Sequence, residues 1–132
     1  MRRLLMRGVL LVLLTACGNR EPAFTDNGNP GQIKVVVFYD DNKNGAMDTG
    51  ETSAQVEVGI SQEVSCPAGS LDKVTPMTTD KNGEAVFDNL KPGKYCVAPI
   101  LGSLSMTTKY TQEVYVSSDV VTTVLFGIVK EQ

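Results

Sequence analysis

Asp40-Asp41-Asn42-Lys43-Asn44-Gly45-Ala46-Met47-Asp48-Thr49-Gly50-Glu51 is the stretch from which the rest of the chain can be read. Numbered from one to twelve, it sets oxygen-bearing side chains at positions one (Asp40), three (Asn42), five (Asn44), nine (Asp48) and twelve (Glu51), with Gly45 at six. Calcium is a hard cation that takes six to eight oxygens at about 2.3–2.6 Å, so a chain that binds it has to curl around it. Alternate side chains then point inward, the glycine permits the sharp turn, the carbonyl of Ala46 at position seven faces in, and Glu51 closes the shell with both oxygens. The candidate metal ligands are therefore Asp40, Asn42, Asn44, Ala46, Asp48 and Glu51, and the expected cofactor is calcium. A solvated acidic turn is the plainer reading of any Asp and Asn cluster. Five ligand types and a glycine in register over twelve positions favour the cation.

The flanks of the loop decide the fold. Residues 35–39 before it and 55–60 after it are β-branched, aromatic or alternating, so both read as strands. A dockerin-like calcium module would need a helix after the loop, and a solenoid calcium repeat would need the motif more than once. Neither condition is met.

The chain opens with Arg2, Arg3 and Arg7, continues with an apolar run over residues 9–14, and reaches Leu14-Thr15-Ala16-Cys17. A basic segment before a short apolar core is a secretory signal, and this one falls short of the roughly 20 residues a membrane span takes. The four residues ending in Cys17 resemble the lipobox of bacterial lipoproteins, in which cleavage exposes a cysteine that then carries acyl chains. Residues 1–16 are expected to be a signal peptide and Cys17 the site of lipidation. The expected location is the outer side of a bacterial membrane, in the cell envelope, with the membrane as a partner through the lipid.

Loss of residues 1–16 removes three of the 12 basic residues and no acidic one, leaving nine against 15 and a net charge of −6. Such a surface does not seek phosphate backbones, so nucleic acid is excluded as a partner. Residues 17–31 are rich in Asn, Gly, Pro and charge, and nearly bare of apolar side chains, which predicts a flexible linker. Residues 32–132 are then one domain, large enough for a core.

Within it, residues 33–39 are almost continuously apolar and suit a strand near a sheet centre. Residues 54–60 alternate, so one face is wet. Residues 74–79 form a short strand that Pro76 confines to an edge. Asn82-Gly83 supplies a hairpin turn, residues 84–87 return, and Pro92-Gly93 turns into a strand over 94–100. Two more strands, over 109–116 and 120–129, meet at Ser117-Ser118-Asp119. With no sustained 3.6-residue period anywhere, the expectation is a seven-stranded antiparallel β-sandwich.

Val37-Phe38-Tyr39-Asp40 with the loop to Gly50-Glu51, then Thr79-Asp80-Lys81-Asn82-Gly83, then Phe87-Asp88-Asn89-Leu90-Lys91-Pro92-Gly93-Lys94-Tyr95, resemble the SdrD B-like domain of bacterial surface proteins. Val124-Leu125-Phe126-Gly127-Ile128 is similar to that family's last strand. The resemblance covers about residues 32–130 and implies a prealbumin-like (transthyretin-like) sandwich acting as a calcium-stiffened spacer at the cell surface. Related B-type domains carry a Lys to Asn isopeptide bond assisted by a buried acid. Lys34 is the candidate lysine, but residues 96–101 offer no acid, so the bond is not expected.

With Cys17 lipidated, Cys66 and Cys96 remain in an oxidising compartment, and a disulfide between them is expected. Strand alternation puts Cys96 on the face opposite Tyr95 and Val97, so the bridge would pin the loop of residues 61–72 across one sheet. Histidine is absent from the sequence. That removes Ser-His-Asp and Cys-His catalysis and the commonest zinc ligand, and neither a P-loop nor a dinucleotide fingerprint is present. No catalytic residue is predicted. Asp80, Asn82 and Glu84 read as a solvated turn. The expected protein is a monomeric, non-enzymatic envelope lipoprotein with a structural or adhesive role. Carbohydrate or peptide binding is the alternative, as is an accessory role to an envelope enzyme, with an envelope protein or polysaccharide as partner.

Overall fold

In the computed structural model, which describes residues 24–62, 65–66 and 73–130, the chain folds into eight strands. They are β1 (Gly31–Tyr39), β2 (Glu57–Ser61), β3 (Thr75–Thr78), β4 (Glu84–Leu90), β5 (Gly93–Ile100), β6 (Leu104–Met106), β7 (Gln112–Val116) and β8 (Val121–Lys130). Two four-stranded sheets face each other, one in the order β4-β1-β8-β6 and the other β3-β2-β5-β7. The sequence predicted seven strands. The eighth, β6, is three residues long, too short to show a period of its own, and is recruited by pairing with the end of β8.

The continuous apolar run of β1 does lie at a sheet centre, between β4 and β8. Its odd-numbered residues Ile33, Val35 and Val37 point into the core, where they meet Val58, Phe87, Tyr95, Val97, Val116, Val124, Phe126 and Ile128. Removing side chains of this size from water contributes roughly 1.5–3 kcal/mol each, so this one cluster is the main source of stability. Pro76 sits in β3, at a sheet edge as its missing N–H requires.

The antiparallel expectation holds for five ladders and fails for one. β1 and β8 run parallel in register from Gln32↔Val121 to Tyr39↔Ile128. Among the described residues only β2 and β3 pair as sequence neighbours. The other connections cross from one sheet to the other, so the Asn82-Gly83 turn joins β3 of the second sheet to β4 of the first rather than closing a hairpin. The crossing after the loop is tied down by Thr79. Its buried hydroxyl donates to the Ala54 carbonyl (2.7 Å) and accepts from the Val56 N–H (2.9 Å), which delays β2 to Glu57, three residues later than the alternation alone predicted.

Residues 25–30, inside the predicted linker, are docked on the turn between β7 and β8. Thr25 N–H donates to Ser117 Oγ and Asn27 N–H to Ser118 Oγ, while the Asn27 and Asn29 amides both donate to Asp119 Oδ2. Polar side chains here do the ordering that apolar ones do elsewhere. Residues 1–23, including Cys17, lie outside the described residues.

Candidate functional site

β1 delivers Asp40 directly after Tyr39, and the Asp40 N–H extends the parallel ladder by one bond to the Ile128 carbonyl (2.9 Å). The carboxylate is closed off from solvent. Its Oδ1 accepts from Asn44 N–H (3.1 Å) and its Oδ2 from Gly45 N–H (2.8 Å), so the first half of the loop is folded around position one. Gly45 carries the turn at φ 77°, in the left-handed region where a side chain would be strained.

The two asparagines build short turns of their own. Asn42 Oδ1 accepts from Asn44 N–H (3.0 Å) and Asn44 Oδ1 from Ala46 N–H (2.8 Å). Their amide nitrogens then converge on one atom, Asp48 Oδ2, at 2.8 and 2.6 Å. Glu51 bridges both limbs, with Oε1 on the Asp41 N–H (3.1 Å) and Oε2 on the Asp48 N–H (2.9 Å). The loop is therefore curled on itself by these hydrogen bonds. Asp40, Asn42, Asn44, Asp48 and Glu51 form one hydrogen-bonded ring, with Ala46 exposed at its tip.

The carboxylates are spent on N–H groups rather than on one another. Among the described residues no three His, Cys, Asp or Glu side chains stand close enough to hold a metal ion together. The donor set nonetheless suits a hard cation: it is all oxygen, and each amide oxygen that accepts one backbone N–H keeps a second lone pair.

Below the loop lies a floor that the sequence did not reveal. Thr107 N–H donates to the Gly127 carbonyl (2.9 Å) and Gly127 N–H to Thr108 Oγ1 (3.2 Å). The segment after β6 is thereby laid across β8, directly under Asp40 and Gly45. A Cβ on Gly127 would stand 2.3 Å from Thr107 Oγ1 and 3.2 Å from Asp40 Oδ2. Burial pushes the Asp40 carboxyl up, but the Thr107 hydroxyl and the N–H groups of Gly45, Asn44 and Lys43 more than reverse this and leave it below the usual carboxylate range. Thr107 Oγ1 itself is buried with no properly aligned hydrogen-bond partner among the described residues. It lies near enough to act on the carboxylate and outside bonding geometry. Gly127, a glycine inside a β-branched and aromatic strand, was the available signal, since such a residue marks a close approach. Thr107 gave none.

Elsewhere, Cys66 and Cys96 are joined, with their Cα atoms 5.3 Å apart, and Cys96 is fully buried on the side of β5 away from the core cluster. Lys34 holds Glu84 at 2.6 Å on the outer face of the first sheet. Asp80 Oδ1 accepts from Asn82 N–H (2.8 Å) and Glu84 N–H (3.0 Å), which makes it the organiser of its turn. Beside the loop is a cleft of about 500 Å³ lined by Tyr39, Asp41, Lys43, Thr52, Val129 and Lys130. The Lys130 ammonium covers the Tyr39 ring there, 4.8 Å from its centre.

Two facing four-stranded sheets, a parallel pair of terminal strands and an oxygen-rich loop at one pole define a β-sandwich module. The chain belongs to the SdrD B-like domain family, whose model matches residues 31–126. Two Dictyostelium discoideum proteins are similar over part of it. Colossin-A is 35% identical over 66 residues, which are 50% of this chain and 1% of that protein. Colossin-B is 36% identical over 67 residues, 46% of this chain and 2% of that protein. The match thus spans only a hundredth or two of the length of these curated relatives.

Solved structures share the fold at low identity. The minor pilin GBS52 of Streptococcus agalactiae superposes with a TM-score of 0.54 at 12% identity, covering 79% of this chain and 46% of the pilin. A streptococcal ancillary pilin gives 0.54 at 19%, covering 79% and 33%. BcpA, the major pilin subunit of Bacillus cereus, gives 0.52 at 16%, covering 78% and 31%.

Proposed function

We propose that this chain is a non-enzymatic structural or adhesive module of the bacterial cell envelope, tethered by lipid at Cys17 and stiffened by a calcium ion in the loop of residues 40–51. The observation that carries the reading is the parallel pairing of β1 with β8. The first strand enters the sandwich at one pole and the last leaves at the other, so tension along the chain loads their shared hydrogen bonds in shear, all together. Docking of residues 25–30 on the β7 to β8 turn, at the pole where β1 begins, supports a tether at that end. The loop sits at the far end of a nine-residue strand, roughly 30 Å away.

In the loaded loop, Asp40, Asp48 and Glu51 supply the anions, Asn42 and Asn44 their amide oxygens and Ala46 its carbonyl. The ion supplies positive charge that these oxygens otherwise draw from N–H groups. With only three anions the dissociation constant belongs with those of extracellular modules, about 10⁻⁴ to 10⁻³ M. Membership of the SdrD B-like family and the shared pilin fold support a surface role. A sugar-binding platform is not favoured: of the four tyrosines Tyr95 is buried, Tyr39 and Tyr110 are half-buried, and Tyr115 alone is exposed.

Two experiments test the reading. Single-molecule pulling between residues 24 and 130 should give a high unfolding force in calcium that falls in chelator. Gradual unfolding at low force, indifferent to calcium, would overturn the spacer role. Cys17→Ser should leave the membrane fraction or remain unprocessed, and a processed, membrane-bound variant would overturn lipidation at that residue.

A further inference from the structure

The Thr107 hydroxyl is the one buried side-chain oxygen or nitrogen among the described residues that has no hydrogen-bond partner. It is not in a random place. It faces the same point as Asp40 Oδ2, the two atoms lying 2.3 and 3.2 Å from where a Gly127 Cβ would be, and the absence of that Cβ is what lets them approach. The surrounding backbone is fixed, because Thr107 N–H is bonded to Gly127 O and Gly127 N–H to Thr108 Oγ1. A Cβ placed on Gly45, at the turn of the loop, would stand 3.9 Å from Thr108 Cγ2 and 4.0 Å from the Thr107 carbonyl. The hydroxyl lies close enough to favour the Asp40 carboxylate but makes no aligned hydrogen bond, so much of its desolvation penalty is uncompensated and its retention calls for a state in which the bond is made.

We propose that this state is the cation-loaded loop and that Thr107 is a positioning residue for it, donating its hydroxyl hydrogen to Asp40 while the carboxylate turns toward the ion. The inference rests on the calcium reading above. A carboxylate oxygen has about two lone-pair sites. Here each Asp40 oxygen already takes one loop N–H, which leaves one lone-pair site on each, and the carboxylate has to be held so that a free site faces the ion. A donor on the floor side holds it against swinging away. This is how a partner behind a metal ligand raises affinity without touching the metal, and losing such a partner typically costs 10–100-fold in binding.

The inference makes an unusual pair of expectations for Thr107→Val, which keeps the shape and removes the hydroxyl. In chelator, its melting temperature stays close to that of wild type, because the hydroxyl makes no aligned hydrogen bond there. In calcium titration calorimetry on the full chain with calcium chloride alone, its dissociation constant rises about tenfold or more. Thr107→Ser restores the hydroxyl and recovers most of that loss in affinity. A Thr107→Val protein that binds calcium like wild type overturns the role of Thr107 and leaves the calcium site standing. So does one whose stability in chelator falls alongside its affinity, since that marks an ordinary structural hydrogen bond. Wild-type protein that takes up no calcium overturns both.

Discussion

Gly127 lies beneath Asp40: a Cβ on the glycine would stand 3.1 Å from Asp40 Cβ and 3.2 Å from Oδ2, tighter than ordinary contact. The backbone is extended there, so the demand is for space rather than for a glycine conformation. Gly127→Ala should therefore force Thr107 and Asp40 apart and cost about 2 kcal/mol, within the range for overpacking. In a domain of this size that is roughly a 10 °C fall in melting temperature. Calorimetry on the variant checks it, and a melting temperature within a degree or two of wild type would mean that the floor gives way easily.

The bridge between Cys66 and Cys96, 30 positions apart, closes a loop whose restriction in the unfolded chain contributes about 3.5 kcal/mol on the chain-entropy model. Replacing both cysteines by serine should lower the melting temperature by roughly 15 °C. Wild-type protein melted in reductant should approach the same value. Intact mass after alkylation should show two reactive thiols only once reductant is added.

Asp119 secures the docked segment before β1. The Asn29 amide and then the Asn27 amide, both donating to its carboxylate, hold its pKa below the usual range against a small opposing effect of burial. Because the folded pKa is the lower one, the contact is fully stabilising above the unfolded carboxylate value of about 3.9 and is lost as pH falls through the folded value. Amide exchange at residues 27–29 should therefore accelerate below pH 4 relative to the strand cores. In Asp119→Asn, that segment should exchange faster at neutral pH and lose this acid dependence.

What could be read in advance were the features that single residues impose on themselves. The apolar run of β1, the edge position forced by Pro76, the curl from Asp40 to Glu51 and the opposite facing of Cys96 and Tyr95 all follow from local chemistry. Partners across the sandwich do not. Nothing in residues 31–39 names residues 121–130 as a parallel neighbour, because alternation reports which face is buried and not which strand lies beside it. The crossing at Asn82-Gly83 failed for the same reason: a turn signal carries no information about which sheet receives the next strand. Thr25, Asn27 and Asn29 were read as linker because composition weighs apolar burial, while their order comes from hydrogen bonds to Ser117, Ser118 and Asp119. Thr107 was invisible because its meaning lies entirely in Asp40, 67 positions earlier.

The central claim is that the loop of residues 40–51 holds calcium and that the ion stabilises the sandwich. The most direct measurement is thermal unfolding of wild type and Glu51→Gln, each in calcium, in magnesium and in chelator. At a concentration 100 times the dissociation constant, calcium should add about 2.7 kcal/mol to wild type, or roughly 10 °C. Magnesium should do much less, because it resists dehydration and demands octahedral geometry. Glu51→Gln keeps the shape of the closing side chain without its charge, and at the same calcium concentration it should gain only a small part of that increase. A wild-type melting temperature that is the same in calcium as after exhaustive chelation would contradict the account.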